Sequence, residues 1–294
     1  MQVWPLVLRE LYRSEMMKLK YLGTGGGGGI PELFCSCPVC LNARARGGKE
    51  LRRRSLAIID DELCIDLPCD ARDSFIAHGV DYPKIAHILI THAHYDHFMA
   101  ENLLTRPQGA GRVELYISRG SGEDFQKRCE MLRALPTPEG LAPINVPNVH
   151  LVKAFESFRA GAFELTALES SHAKALETLN YLISRGNKSI LWLHDSGVLT
   201  GNTRELLREK RPRLSLVSMD CALPTGAAAS AEHMDLNACA ETADFLRSLG
   251  CVGKDTRLVL SHISHNTKYA HEQLLKVAAD AGFRPACDGE EFNL

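Results

Sequence analysis

The chain alternates short apolar runs with longer stretches of helical periodicity. Apolar, β-rich runs at residues 18–23, 85–90, 112–118, 149–153, 163–168, 214–219, 258–260 and 283–287 predict strands. Helical spacing predicts helices over residues 41–54, 70–79, 98–105, 120–135, 203–210, 236–249 and 271–281. Two hairpins interrupt the alternation. Residues 55–67 fold back at Asp60-Asp61, and the runs 179–184 and 189–193 flank an Arg185-Gly186-Asn187 turn. The run 85–90 is apolar enough to be covered on both faces. Asp235 is placed to cap the helix 236–249, with Gly250 as its stop. No linker or composition break divides the chain, so the pattern predicts one α/β domain over residues 18–294. Residues 1–17 end in a Met-Met pair and read either as an extension outside that domain or as a short helix packed on its surface.

Composition narrows the class. At 294 residues and 45% hydrophobic, the chain is long and apolar enough for a sizeable core. A formal net charge of −2 provides no global basic field, so wrapping around nucleic acid or lying on an anionic membrane is not expected. Arg52, Arg53 and Arg54 read as a solvated face. No apolar run reaches the roughly 18 residues of a membrane span, and the start of the chain lacks the order of a signal peptide, so a cytoplasmic protein is expected. Of the 10 cysteines, Cys64, Cys69, Cys129, Cys221, Cys239, Cys251 and Cys287 are scattered without regular spacing. They are expected to be reduced and mostly buried rather than a disulfide framework.

The polar residues that directly follow predicted strands carry the candidate chemistry: Asp66, His92, His94, Asp96, His97, His172, Asp195, Asp220 and His262. In open α/β sheets, loops beyond the strand ends converge on one crevice. Residues 91–97 read Thr-His-Ala-His-Tyr-Asp-His and pack four ligand-type side chains into one short segment. His92 and His94 project together from an extended backbone, and Asp96 and His97 come as the chain turns into the next helix. That spacing suits two adjacent ions, one on each pair, with a bridging carboxylate. His78, His87, His150, His194 and His271 read as ordinary core or surface histidines. Cys35, Cys37 and Cys40 form a separate cluster that predicts a tetrahedral structural Zn²⁺ site in need of one more ligand. The glycine-rich run 23–29 matches neither a P-loop nor a dinucleotide motif and reads as a structural turn.

The His-x-His-x-Asp-His pattern after an apolar strand resembles the signature of the metallo-β-lactamase superfamily, and His172, Asp195 and His262 fall in the chain order that superfamily uses for its remaining ligands. The resemblance covers residues 18–294 and implies a four-layer αββα sandwich with a dinuclear site on one edge. Within the superfamily the chain is similar to the cyclic-phosphate phosphodiesterases of the carbon-phosphorus lyase pathway. Five segments carry this, in order: 22–26 (Leu-Gly-Thr-Gly-Gly), 35–40 (Cys-x-Cys-x-x-Cys), 219–221 (Met-Asp-Cys), 233–237 (His-x-Asp-Leu-Asn) and 261–265 (Ser-His-Ile-Ser-His). The resemblance implies that His92, His94 and His172 hold one metal, that Asp96, His97 and His262 hold the other, and that Asp195 bridges them. It also implies His265 as the fourth ligand of the Cys35, Cys37, Cys40 zinc. Asp66 and Asp220 are then candidates for orienting histidines through hydrogen bonds.

The implied reaction is hydrolysis of a small phosphodiester, a cyclic ribosyl or nucleotide phosphate. Two cations acidify a water and neutralise charge growing on the phosphoryl oxygens. The leaving alkoxide then needs a proton. His233 follows a loop of small residues, matches the family's acid position and has an ordinary pKa near about 6.5, so it is the expected general acid, with Asp96 the other residue expected to act in catalysis. The expected cofactors are two divalent ions at the active site, Zn²⁺, Mn²⁺ or Fe²⁺, and one structural Zn²⁺. The expected partners are the small-molecule phosphodiester and a second copy of the chain in a homodimer. A longer N-terminus and extra residues at 70–83 and 136–147 depart from that phosphodiesterase group and bear on the shape of the pocket. Two other readings stand beside this one: a superfamily hydrolase acting on a thioester or amide, and a non-hydrolytic accessory protein of the pyrroloquinoline quinone type.

Overall fold

The computed structural model describes residues 16–135, 144–223, 225–227, 230 and 232–294. The first half of the chain supplies β1 (Lys18–Gly23), β2 (Leu56–Ile59), β3 (Leu63–Ile65), β4 (His87–Leu89), β5 (Glu114–Ile117) and β6 (Asn148–Leu151). The second supplies β7 (Ser157–Ala160), β8 (Phe163–Glu169), β9 (Leu179–Arg185), β10 (Lys188–Leu193), β11 (Leu216–Asp220), β12 (Arg257–Ser261), β13 (Arg284–Pro285) and β14 (Glu291–Asn293). The α-helices are α1 (Pro38–Arg46), α2 (Ala71–Ala77), α3 (Ala100–Leu104), α4 (Arg119–Ala134), α5 (Gly201–Lys210), α6 (Leu236–Ser248) and α7 (His271–Asp280).

The strands form two seven-stranded sheets, ordered β14-β1-β2-β3-β4-β5-β6 and β7-β8-β9-β10-β11-β12-β13 when each is read from its antiparallel edge. In both sheets the first three pairings are antiparallel and the next three parallel. The two sheets therefore repeat one topology, with the last strand of the chain completing the first sheet.

Period-two alternation explains the layering. Along β2, Ala57 and Ile59 enter the core between the sheets, while Leu56 and Ile58 enter a second core with Phe75 of α2, Leu103 of α3 and Phe125 of α4. A third core joins the outer face of the other sheet to α5, α6 and α7 through Leu207, Leu246 and Ala278. The order is helix, sheet, sheet, helix, the αββα sandwich. At its centre Tyr21 stacks on Trp192, ring centroids 5.7 Å apart, and both are fully buried. The strands read as continuous apolar runs because each face is covered. Among the described residues no helix is long and apolar enough to cross a membrane.

Three expectations need correction. The helix expected over 41–54 ends at Arg46, because Gly47 and Gly48 both take left-handed backbone, with φ of 62° and 57°. Residues 52–54 are not a solvated face. Arg52 is 4% exposed, and its guanidinium donates to Thr24 Oγ1 at 2.8 Å and to the Ala286 carbonyl at 2.6 Å. The glycine run makes this possible by close approach: Gly25 N–H donates to the Arg53 carbonyl at 2.7 Å, and a Cβ on Gly23 would lie 1.8 Å from the Arg54 carbonyl oxygen. The strand expected over 283–287 is only Arg284–Pro285, since the chain then turns at Asp288, whose carboxylate accepts from the Thr24 and Arg53 amides at 2.9 and 2.7 Å. Of the segment expected to be an extension, Met17 is buried and exchanges backbone hydrogen bonds with Leu294, while residues 1–15 lie outside the described residues. So do residues 136–143 of the proline-containing loop.

Candidate metal centre

Strands β3 and β4 of one sheet and β8, β10, β11 and β12 of the other bring their following residues to a single edge. Asp66, Asp195 and His262 stand there in left-handed conformation, with φ of 65°, 44° and 52°. For L-residues this costs on the order of 1–2 kcal/mol each, though Asp and His tolerate it better than most. Strain at three strand ends that converge on one cluster is a mark of a functional site.

Three groups of histidine and carboxylate donor atoms form, each with all its atoms within 4.8 Å of one another: His92, His94, His172 and Asp195; Asp96, His97, Asp195 and His262; and Asp195, Asp220, His233 and His262. In the first, His94 Nδ1 lies 2.9 Å from His92 Nε2 and 3.2 Å from His172 Nε2, while Asp195 Oδ2 lies 3.2 and 3.6 Å from those two Nε2 atoms. In the second, the Nε2 atoms of His97 and His262 are 3.2 Å apart, and Asp195 reaches them at 3.0 and 3.1 Å through its two oxygens. Asp96 Oδ2 is 3.5 Å from His97 Nε2 and 3.9 Å from His262 Nε2. A tetrahedral cation with bonds of about 2.0–2.1 Å sets ligand–ligand edges of about 3.3–3.4 Å, so the spacing and the N/O chemistry fit divalent ions.

The electrostatics point the same way. Burial pushes His97 toward neutrality, but Asp66, Asp195 and Asp96 outweigh it and hold the ring protonated well above its ordinary range. Burial likewise opposes His262, yet Asp195 and Asp220 raise it to about 10. Burial would raise Asp195, but His262 and His97 hold it ionised well below the usual carboxylate range. His172, where burial prevails, falls to about 4. Buried protons thus sit where cations would replace them.

Polar partners behind the cluster fix the rings. Asp66 Oδ2 is 2.7 Å from His97 Nδ1, and Asp66 Oδ1 accepts from Thr91 N–H and Oγ1–H at 2.8 and 2.9 Å. Thr91 Oγ1 also lies 3.1 Å from His92 Nδ1. Asp220 Oδ1 accepts from the Ala222 and Met234 amides at 3.0 and 3.2 Å. Its Oδ2 faces His262 Nδ1 at 3.0 Å. His233 is partly buried, stacks on His262 with centroids 5.7 Å apart, and has Nδ1 3.3 Å from Asp195 Oδ1. Burial opposes its protonation, but Asp220 and then Asp195 raise its pKa.

The cysteine cluster closes around His265. The Sγ atoms of Cys35, Cys37 and Cys40 lie 3.3, 3.4 and 3.5 Å from His265 Nδ1. Zn–S of about 2.3 Å and Zn–N of about 2.0 Å predict tetrahedral edges of about 3.5 Å. Local sequence builds this geometry. Cys37 caps α1 by accepting from Cys40 N–H, and Pro38 opens the helix where no amide donor is needed. Glu32 Oε2 holds the other ring nitrogen of His265 at 2.8 Å. Burial would raise Cys37, but the Cys40 amide and His265 lower it to about 6, whereas burial pushes Cys40 up to about 12.

Every ligand-type residue singled out in the sequence lies in one of these groups or directly behind it. Thr91, Glu32 and Gly26 were not singled out. A Cβ on Gly26 would meet His262 Cε1 at 2.9 Å, so the glycine run is a wall of the site as well as a turn. At the rim the Arg54 guanidinium lies over the Tyr95 ring at 5.4 Å, and both side chains donate to the Gly27 carbonyl, at 2.9 and 3.1 Å. Neither Thr91 nor glycine belongs to a ligand residue type, and the proximity of Thr91 to the histidines was the only signal available. His194 is buried between Ser55 Oγ at 2.9 Å and Ser218 Oγ at 2.7 Å, as an ordinary core histidine.

A family model described as Beta-lactamase superfamily domain matches residues 70–263. Among solved structures, a new diphosphatase from the PhnP family aligns with a TM-score of 0.70 at 22% identity, over 95% of this chain and 97% of that one. Zn²⁺-bound PqqB from Methylobacterium extorquens aligns with a TM-score of 0.70 at 19% identity, over 94% and 100%. At these identities the likeness shows the fold. The chain spans less than a third of the length of the curated relatives it matches. One of them, an octanoyltransferase from Porphyromonas gingivalis, is 35% identical over 83 residues, 28% of this chain and 16% of that protein.

Proposed function

The chain belongs to the β-lactamase superfamily, and we propose that it is a metal-dependent hydrolase that cleaves a small phosphodiester, with cyclic ribosyl or nucleotide phosphates as its substrate class. One observation carries this reading: Asp195 joins the His92, His94, His172 group to the Asp96, His97, His262 group, and His233 stands against the same carboxylate. Two cations and an adjacent proton donor are what in-line displacement at phosphorus needs. The likeness to a diphosphatase supports phosphorus chemistry.

His92, His94 and His172 would hold one ion, Asp96, His97 and His262 the other, with Asp195 between them. Bound Zn²⁺, Mn²⁺ or Fe²⁺ supplies an acidified water and neutralises phosphoryl charge. Asp66 and Asp220 keep the His97 and His262 rings aimed at the cluster. With its Nδ1 held at Asp220, His233 has Nε2 left to give a proton to the leaving alkoxide. Cys35, Cys37, Cys40 and His265 would hold a structural zinc that anchors the loop carrying His262. The homodimer and the cytoplasmic location belong to the same proposal.

The test is metal analysis together with turnover of bis(4-nitrophenyl) phosphate and a panel of cyclic phosphates. About three ions per chain, and diester turnover abolished by chelation, are expected from the three donor sets. Zinc on the thiolates alone with no diester turnover would overturn the reading. The likeness to PqqB supports a non-hydrolytic role in coenzyme biosynthesis, and the likeness to an octanoyltransferase supports acyl or thioester chemistry. A thioester panel run beside the diesters separates all three.

A further inference from the structure

Strand β6 closes the parallel edge of the first sheet, and no described residue pairs with its far side. The amides of Asn148 and Val152 donate to the Val113 and Ile117 carbonyls at 3.0 and 2.9 Å. Backbone groups alternate sides along a strand, so Val149 and Leu151 turn their N–H and C=O groups away from β5. The free stretch is short. Pro147 has no N–H before it, and beyond it Lys153 is engaged with Glu156, its N–H 3.0 Å from Oε2 and its carbonyl accepting from the Glu156 amide at 3.1 Å.

Exposed edges are normally guarded by lysine, proline or a bulge. Between Pro147 and Lys153 β6 carries neither residue, and it presents apolar side chains instead: Val149 is 36% exposed and Leu151 58%. Both lie on the helix side of the sheet, where a Cβ on Gly122 of α4 would meet Leu151 Cδ2 at 2.9 Å.

A second observation comes from α4, which connects the parallel strands β5 and β6 and so runs antiparallel to both. Arg119 and Glu130 are exposed and three turns apart on one side of it, opposite Arg128, whose guanidinium turns to Glu101 of α3 at 3.6 Å. They therefore face the free edge. Among the described residues Arg119 has no hydrogen bond or ion pair, and Glu130 accepts only from Gln126 Nε2, at 3.1 Å.

We propose that β6 is the interface of the homodimer, pairing antiparallel with β6 of a second copy about a two-fold axis at His150. The proposal rests on the homodimer reading and is independent of the reaction catalysed. In this register Val149 faces Leu151 of the second copy, the two exchange both hydrogen bonds, and symmetry repeats the pair. All four free groups of each strand are then satisfied. A shifted register sets Leu151 against Pro147 or Val149 against Lys153, neither of which can complete the exchange. The exposed apolar side chains meet as cross-strand pairs on one face. Charge complementarity follows from the same axis. At about 1.5 Å per helical residue and about 3.3 Å per strand residue, counted from Gly122 beside Leu151, an axis at His150 is level with Asp124. Arg119 and Glu130 stand about equally far to either side, so each Arg119 comes level with Glu130 of the second copy.

The experiment is sedimentation velocity on the metal-loaded protein over a concentration series. The wild type should be a reversible dimer. Val149→Pro should raise the dissociation constant about tenfold or more, since it deletes two intermolecular bonds and none to β5. Arg119→Glu and Glu130→Arg should each weaken the dimer about tenfold or more, because like charges then meet. An equimolar mixture of those two variants should recover the wild-type constant, since every bridge in the mixed dimer again joins opposite charges, and that recovery also shows both variants to be folded. A wild type that stays monomeric would overturn the homodimer and the surface together. A dimer indifferent to all three substitutions, or charge variants that stay monomeric when mixed, would leave the homodimer standing and remove β6 as its interface.

Discussion

Asp220 Oδ2 lies 3.0 Å from Nδ1 of His233, and the same oxygen lies 3.0 Å from Nδ1 of His262. One buried carboxylate therefore governs both the ring of a proposed ligand and the ring of the proposed acid.

The first prediction is a pH dependence. Burial works against protonated His233, but Asp220 and Asp195 raise its pKa above 6.5. A general acid is competent below its pKa and fails as pH rises through it, so the alkaline limb of kcat/KM for an alkyl diester should fall above pH 6.5. In Asp220→Asn the limb should move to lower pH. A limb that stays in place would detach Asp220 from the proton donor.

Leaving-group dependence tests His233 itself. His233→Ala should slow diesters with poor leaving groups roughly 10²- to 10⁴-fold, because an alkoxide cannot depart unprotonated. Nitrophenyl diesters, whose leaving group needs no proton, should lose much less. Equal losses would remove His233 from the acid role.

Asp66→Asn should weaken metal binding without altering any ligand. Asp66 holds His97 Nδ1 at 2.7 Å and is itself held by Thr91. Losing such a partner typically costs roughly 10- to 100-fold in metal affinity. Dialysis against a graded chelator followed by metal analysis reads this directly, and unchanged retention of both ions would contradict it.

Removing the thiolate-bound metal should expose a reactive cysteine. Cys37 is lowered to about 6 and Cys40 raised to about 12, so at pH 7 iodoacetamide should modify Cys37 ahead of Cys40 once zinc is withdrawn. His265→Ala should release one zinc and lower Tm by roughly 5 °C or more, since structural zinc contributes folding energy. Mass spectrometry of the alkylated peptides and a melting curve decide both.

What could be read beforehand follows from where each signal resides. The cluster from His92 to His97 was legible because ligand residue types crowd one short segment after a buried strand, and the central strands because both faces are apolar. The grouping of His172, Asp195 and His262 with it needed a family resemblance, since no local pattern ties residues so far apart. Arg52 was misread because charge alone suggests solvent. Only the folded chain shows that glycines bring carbonyl and hydroxyl acceptors within reach of its guanidinium. Strands β7 and β14 were missed because they are short, lie at sheet edges and alternate buried with exposed positions.

The repeated topology of the two sheets bears on when the centre can form. His92, His94, Asp96 and His97 come from the first sheet's half of the chain, and His172, Asp195 and His262 from the second. Cys35, Cys37 and Cys40 likewise wait for His265. During synthesis from the N-terminus, the thiols and the aspartate-histidine pair leave the ribosome long before their last partners. Metal acquisition at those two sets is therefore tied to the close of translation, and a nascent chain stalled before His262 would present its three thiols and the Asp96–His97 pair to the cell without their closing ligands.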